Sequence, residues 1–369
     1  MKSYTIVRII GVLMIFCACE SSKKPDESGK TYFKVYDFSK IDRMRYVFSL
    51  SSGSLGLIEL SDSLSGLATG QNALRFDKTG DTVWTRKIGG INWRKEADGK
   101  IRGLIYGESD YFVFVSPDGS VSGFSIKKRG ASVYNDAHTP ALDGGYTLVG
   151  SRWVSVSKYS SIISCVNSLG DTIWTTEFAP FQQNYYPFFK EIIRTKDSGY
   201  VALGGINYAT SPVGDLLVIK VNSAGELMWS DTLRTHSDNY DAQIVELTSG
   251  ELLIATTPYL TSNALYRLSA DGDSLSAISF SYFGNGFSRM AQSSNGEIGL
   301  VYIDGFKVLD NNLSEKFTHT WLEVSVANLR GCWIDATSQG WIIGGNVSYG
   351  RDSSDAFILS VSEDGVLEP

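Results

Sequence analysis

The chain has 369 residues, 43% hydrophobic and 20% charged, enough apolar content for a large buried core and too much for a globally disordered chain. A formal net charge of -7, with no concentrated Lys/Arg face, argues against nucleic acid as a partner, because phosphate neutralisation needs such a face. Thirty-seven glycines against eight prolines, 12% aromatics and many short Ser/Asp/Gly/Asn clusters describe short strands joined by tight turns rather than long amphipathic helices.

Lys2 and Arg8 open the chain with positive charge, and residues 9–18 form an apolar run. That run is about half the roughly 20 residues a membrane helix requires, so residues 1–18 read as a signal peptide that is removed. The stretch Phe16-Cys17-Ala18-Cys19 resembles a bacterial lipobox, with small Ala18 before Cys19 and Phe16 where leucine is usual. The resemblance implies acylation of Cys19, contact with the membrane through that anchor only, and a place in the bacterial cell envelope, at the outer membrane on its periplasmic or outer side. An ordinary secretory peptide is the other reading, and both export the chain. Residues 19–30 are polar and turn-rich, as expected of a lipidated flexible tether. Lys23-Lys24 and Asp26-Glu27 resemble the surface-export signals of Bacteroidetes lipoproteins.

From residue 31 the pattern changes to strands. Thr31-Tyr32-Phe33-Lys34-Val35-Tyr36-Asp37 alternates like one. A turn then recurs: Asp77-Lys78-Thr79-Gly80-Asp81-Thr82-Val83-Trp84, Asn167-Ser168-Leu169-Gly170-Asp171-Thr172-Ile173-Trp174 and Asn222-Ser223-Ala224-Gly225-Glu226-Leu227-Met228-Trp229. Each follows an apolar stretch, so the glycine sits where a hairpin needs positive φ and the Trp opens the return strand. Weaker copies turn at Gly119, Gly272 and Gly365. A second turn gives a ruler at Gly53, Gly99, Gly145, Gly199, Gly250, Gly296 and Gly340, spaced by the period of propeller blades. Residues 31–369 are therefore expected to form one all-β, seven-bladed β-propeller of four-stranded antiparallel blades. The last repeat stops before a fourth strand, and the segment around Phe33 is expected to complete it and close the ring as a monomer.

The Asp/Asn-x-x-Gly-Asp/Glu-x-x-Trp turn resembles the blades of quinoprotein-like propellers, including outer-membrane assembly lipoproteins of the BamB type and Bacteroidetes propeller lipoproteins. The resemblance implies fold and not chemistry. The tryptophan-docking pattern of true quinoproteins is absent, so no quinone or other cofactor is expected.

Inner strands and the loops leading into them form the default site of a propeller. Counting back from the ruler places Trp93, Arg94, Asp136, His138, Lys190, Asp241, Gln243, Arg289 and Arg330 on or near one rim. Asp136 and Asp241 stand at the same offset from Gly145 and Gly250, and either form a polar mouth or pair with cations between blades. Aromatic residues crowd two loops on the same rim, Phe181, Tyr185, Tyr186, Phe188 and Phe189 in one and Tyr282, Phe283 and Phe287 in the other. They either offer platforms to a glycan or a protein partner or fold inward between blades. His138, His236 and His319 lie in different repeats, so no metal site is expected. Cys165 and Cys332 fall in distant repeats and are expected as free thiols. The function expected is non-catalytic binding of a protein or glycan through the rim. The alternative is a polysaccharide hydrolase or lyase using Asp136 and Asp241 as its carboxylate pair.

Overall fold

The computed structural model describes Phe33–Tyr36 and residues 41–366, apart from short segments at 62–67, 106–109, 128–132, 156–157, 179–184, 209–213, 238–241, 257–262, 281–286, 303–304, 322–328 and 349–353. Among the described residues there are seven antiparallel sheets of four strands and no helix. Six of them, blades I to VI, are built from consecutive strands A to D. Blade VII takes three strands from the end of the chain, Leu329–Thr337, Gly340–Ser348 and Ser354–Ser362, and its fourth from Phe33–Tyr36. Phe33 pairs with Leu359 and Tyr36 with Ala356, so the start of the body closes the sheet its end leaves open, as the sequence leads one to expect.

Burial explains why each strand has its composition. Strand C of blade IV, Gly214–Val221, is buried along its whole length because the neighbouring blades cover both faces of its sheet. Outer strands are more exposed: Thr82–Ile88 of blade I has no fully buried residue, and Thr172–Phe178 of blade III alternates between half-buried and exposed positions. Six clusters of buried apolar side chains hold the ring, and each straddles at least one seam between adjacent blades. Among the described residues the buried apolar side chains form a ring of seams, so each repeat is stable through its neighbours.

The recurring turn proves to be a latch between blades. Trp84 of blade I donates its indole N–H to Pro117 O of blade II at 3.0 Å, Trp174 of blade III to Ser223 O of blade IV at 3.1 Å, and Trp229 of blade IV to Ala270 O of blade V at 3.1 Å. Each ring lies against the next blade's hairpin glycine, where a Cβ would have no room: one built on Gly225 would stand 2.4 Å from Trp174. The Asp or Asn that opens the turn closes it on itself; Asn167 Oδ1 accepts from the Leu169 and Asp171 amides, both at 2.9 Å. Phe317 takes the place of Trp in blade VI and packs on Gly365, beside a 2.8 Å contact between His319 Nε2 and the Gly365 carbonyl.

The ruler shifts by one residue in two blades. The residue in the left-handed region is Gly144, not Gly145, in blade III and Ser198, not Gly199, in blade IV, whereas Gly53, Gly99, Gly250, Gly296 and Gly340 match. Counted from the left-handed residue, Asp136 stands eight positions upstream in blade III and the equivalent in blade V is Ala242, not Asp241.

Candidate functional site

Inner strands deviate from regular pairing at one recurring place. Register shifts fall at Arg45, between Ile91 and Arg94, at Asp136, at Lys190, between Phe287 and Arg289, and at Cys332. Each is a β-bulge, which inserts a residue on one strand and brings two consecutive side chains toward the same side. Pairs that strict alternation would separate, Arg45–Tyr46, Lys190–Glu191 and Cys332–Trp333, therefore line one chamber together.

That chamber has a volume of about 550 Å³ and receives side chains from all seven inner strands or the residues leading into them. They are Arg45, Tyr46, Ile91, Asn92, Arg94, Asp136, Lys190, Glu191, Ala242, Gln243, Arg289, Cys332 and Trp333. A smaller cavity of about 230 Å³ lies toward the downstream ends of the same strands. Arg94, Glu191, Gln243 and Arg289 line both and form the layer between them.

Ion pairs across this layer link blades that are not neighbours. Glu191 of blade IV accepts a hydrogen bond from Arg94 of blade II and lies 3.8 Å from Arg289 Nη1 of blade VI. Burial disfavours the charge on Arg94, but the Glu191 carboxylate outweighs it and Arg94 ends above its ordinary value. Arg289 is pulled the other way: burial, then the like charge of Arg94, bring it down to about 9, so it remains protonated at neutral pH. Its guanidinium lies 3.8 Å above the Trp333 ring, and Tyr46 packs against Trp333 with ring centroids 4.6 Å apart. Lys190 Nζ is 3.1 Å from Asp136 Oδ1, and Asn92 donates to the Asp136 carbonyl, so blades II, III and IV are joined in sequence. Gln243 is fixed by accepting the Met290 amide at 2.7 Å. Below, Lys95 Nζ pairs with Asp335 Oδ2 at 2.6 Å and bridges blades II and VII.

Five of the residues expected on the rim thus meet in the chamber: Arg94, Asp136, Lys190, Gln243 and Arg289. Trp93 does not. It is completely buried in the seam formed by blades VII, I and II, because the irregular pairing between Ile91 and Arg94 turns it outward from the channel while Asn92 and Arg94 turn in. His138 is also completely buried, accepting at Nδ1 from Arg102 Nε at 3.2 Å and lining the smaller cavity. Burial and then Arg102 hold it well below the usual imidazole value, so it is neutral. Arg330 is exposed and does not line the chamber. Tyr185 and Tyr186 begin the inner strand of blade IV and pair through their backbones with Tyr208 and Asn207. Phe189 is completely buried, edge to face with Phe178 at 5.8 Å, so one ring of that cluster fills a seam rather than offering a platform. Asp241, Tyr282, Phe283 and Phe181 lie outside the described residues.

Arg45, Tyr46, Ile91, Asn92, Glu191, Ala242 and Trp333 complete the lining without having been singled out in the sequence, together with Cys332, expected there only as a free thiol. Cys332 and Cys165 are free thiols. Burial raises the Cys332 thiol to about 11 against the opposing effect of Arg45, Arg330 and Arg43. Among the described residues no group of three or more His, Cys, Asp or Glu side chains is arranged to hold a metal.

No protein-family model matches the chain, and no curated protein matches it in sequence. Solved structures match it in fold. A Bacteroides thetaiotaomicron protein described as the extracellular domain of a one-component system shares 12% identity at a TM-score of 0.55 over 93% of this chain and 43% of its own length. An acylaminoacyl peptidase from Pyrococcus horikoshii shares 11% identity at a TM-score of 0.52 over 87% of this chain and 51% of its own. The chain spans only about half the length of each. At these identities the likeness is one of architecture.

Proposed function

We propose that this chain is a binding module of the bacterial cell envelope that holds its ligand, a glycan or a segment of a protein partner, in the bulge-lined chamber. One observation carries the reading. Bulges recur at one level of the inner strands, and they point charged and aromatic side chains into a single space, as bulges at functional sites do. Both carboxylates described in the lining are engaged by cations, which supports binding over acid–base catalysis.

Glycan and peptide arrays probed with wild type, Lys190→Ala and the pair Tyr185→Ala with Tyr186→Ala test this. The account expects Lys190→Ala to abolish the strongest signals. Melting should be almost unchanged, because a pair this exposed contributes about 1 kcal/mol or less. Signals that survive Lys190→Ala but vanish with the two tyrosines would move the site to the loop rim.

The envelope location rests on the leader and the Cys19 motif, which lie outside the described residues. Acylation at Cys19 predicts that cells fed labelled palmitate incorporate it into wild type and into Cys17→Ser, and not into Cys19→Ser. Label retained in Cys19→Ser would remove the anchor.

A further inference from the structure

Building on that reading of the chamber, we infer that the ligand carries a carboxylate and that the Arg289 guanidinium receives it. The charges of the lining do not balance. Four cations, Arg45, Arg94, Lys190 and Arg289, face two carboxylates, Asp136 and Glu191. Arg45 is matched outside the lining by Glu59 at 2.7 Å, and Lys190 by Asp136 at 3.1 Å. Glu191 alone serves both remaining guanidiniums, hydrogen-bonded to Arg94 and 3.8 Å from Arg289. Among the described residues one positive charge is left over, and it belongs to Arg289.

The surplus sits inside a chain of net charge -7, against the trend of the whole molecule. Trp333, 3.8 Å beneath it, holds the guanidinium by cation–π attraction while leaving its N–H edges free. Glu191 Oε2 at 3.8 Å is beyond hydrogen-bond reach, and among the described residues no acceptor is bonded to the Arg289 guanidinium. An arginine fork presented this way matches the two oxygens of a carboxylate. A single uncompensated charge suits a monoanion better than a phosphate dianion. Tyr46, packed on Trp333, adds an aromatic wall for the ligand's ring or aliphatic body.

The test uses the full-length chain in detergent and two pairs of probes, each differing by one carboxylate: D-glucuronate with D-glucose, and acetyl-dialanine with its amide. Inorganic phosphate is the fifth probe. In one pair the acid is expected to bind at least about tenfold tighter than its neutral counterpart, and which pair does so identifies a sugar acid or a peptide terminus. Arg289→Gln is expected to erase that preference. Arg289→Lys, which retains the charge without the fork, should lose part of it and serves if Arg289→Gln does not fold. The inference is overturned if both acids bind no better than their neutral partners, if phosphate binds tighter than either acid, or if both Arg289 variants keep the full preference. Equal affinities within a pair that disappear in Tyr46→Ala would overturn the carboxylate while leaving the chamber as the binding site. Absence of binding by all five probes also overturns it, and the arrays then decide the chamber separately.

Discussion

Gly225 shows what single residues contribute to this ring. Its φ of +83° is a conformation an L side chain adopts only under strain, and the place of its missing Cβ is taken by the Trp174 ring of the preceding blade. The same glycine therefore makes a hairpin and receives a latch, which is why Gly and Trp recur together in the repeat. Gly225→Ala combines left-handed strain with a clash and is expected to cost about 2 to 4 kcal/mol in urea denaturation. Gly144→Ala, with the same sign of φ but open space around its missing Cβ, should cost about 1 kcal/mol. Equal costs at the two positions would mean that the Trp174 contact contributes nothing.

At the scale of elements, the strand Phe33–Tyr36 determines whether the ring is closed. Tyr36 donates its hydroxyl to Gly80 O of blade I at 2.6 Å, so this short strand completes blade VII and latches it to blade I, replacing Trp in the repeating device. Replacing Lys34 and Val35 together with proline would remove the ladder amide that one of two consecutive residues must supply, at an expected cost of about 3 kcal/mol, with faster amide exchange at Phe357, Ile358 and Leu359. Unchanged exchange there would contradict a closing role. The blades and this closure were legible in the sequence because turn residues and apolar alternation repeat with the blade. The chamber was legible only in part. A bulge shifts alternation by one residue, so counting back from the ruler finds Arg94, Asp136, Lys190, Gln243 and Arg289 but assigns Trp93 to the channel and passes over Glu191 and Trp333. Asp241 matches Asp136 for a separate reason: the offset counts from Gly145, one residue beyond the left-handed Gly144.

On the scale of the whole molecule, strand direction separates two faces. Inner strands begin at the face where the chamber lies and end at the face that carries the hairpin turns. Asp81, Asp118, Asp271, Asp273 and Asp364 are exposed in those turns, while the chamber gathers four cations at the other face. Phe33, paired with Leu359 near the Gly365 turn, starts on the hairpin face. The most direct measurement of the account is a crystal structure of the chain with its strongest array ligand bound. The account predicts density between Arg289, Lys190 and Tyr46, in contact with side chains of several blades; density confined to the outer strands or the hairpin turns, with the chamber unchanged, would contradict it.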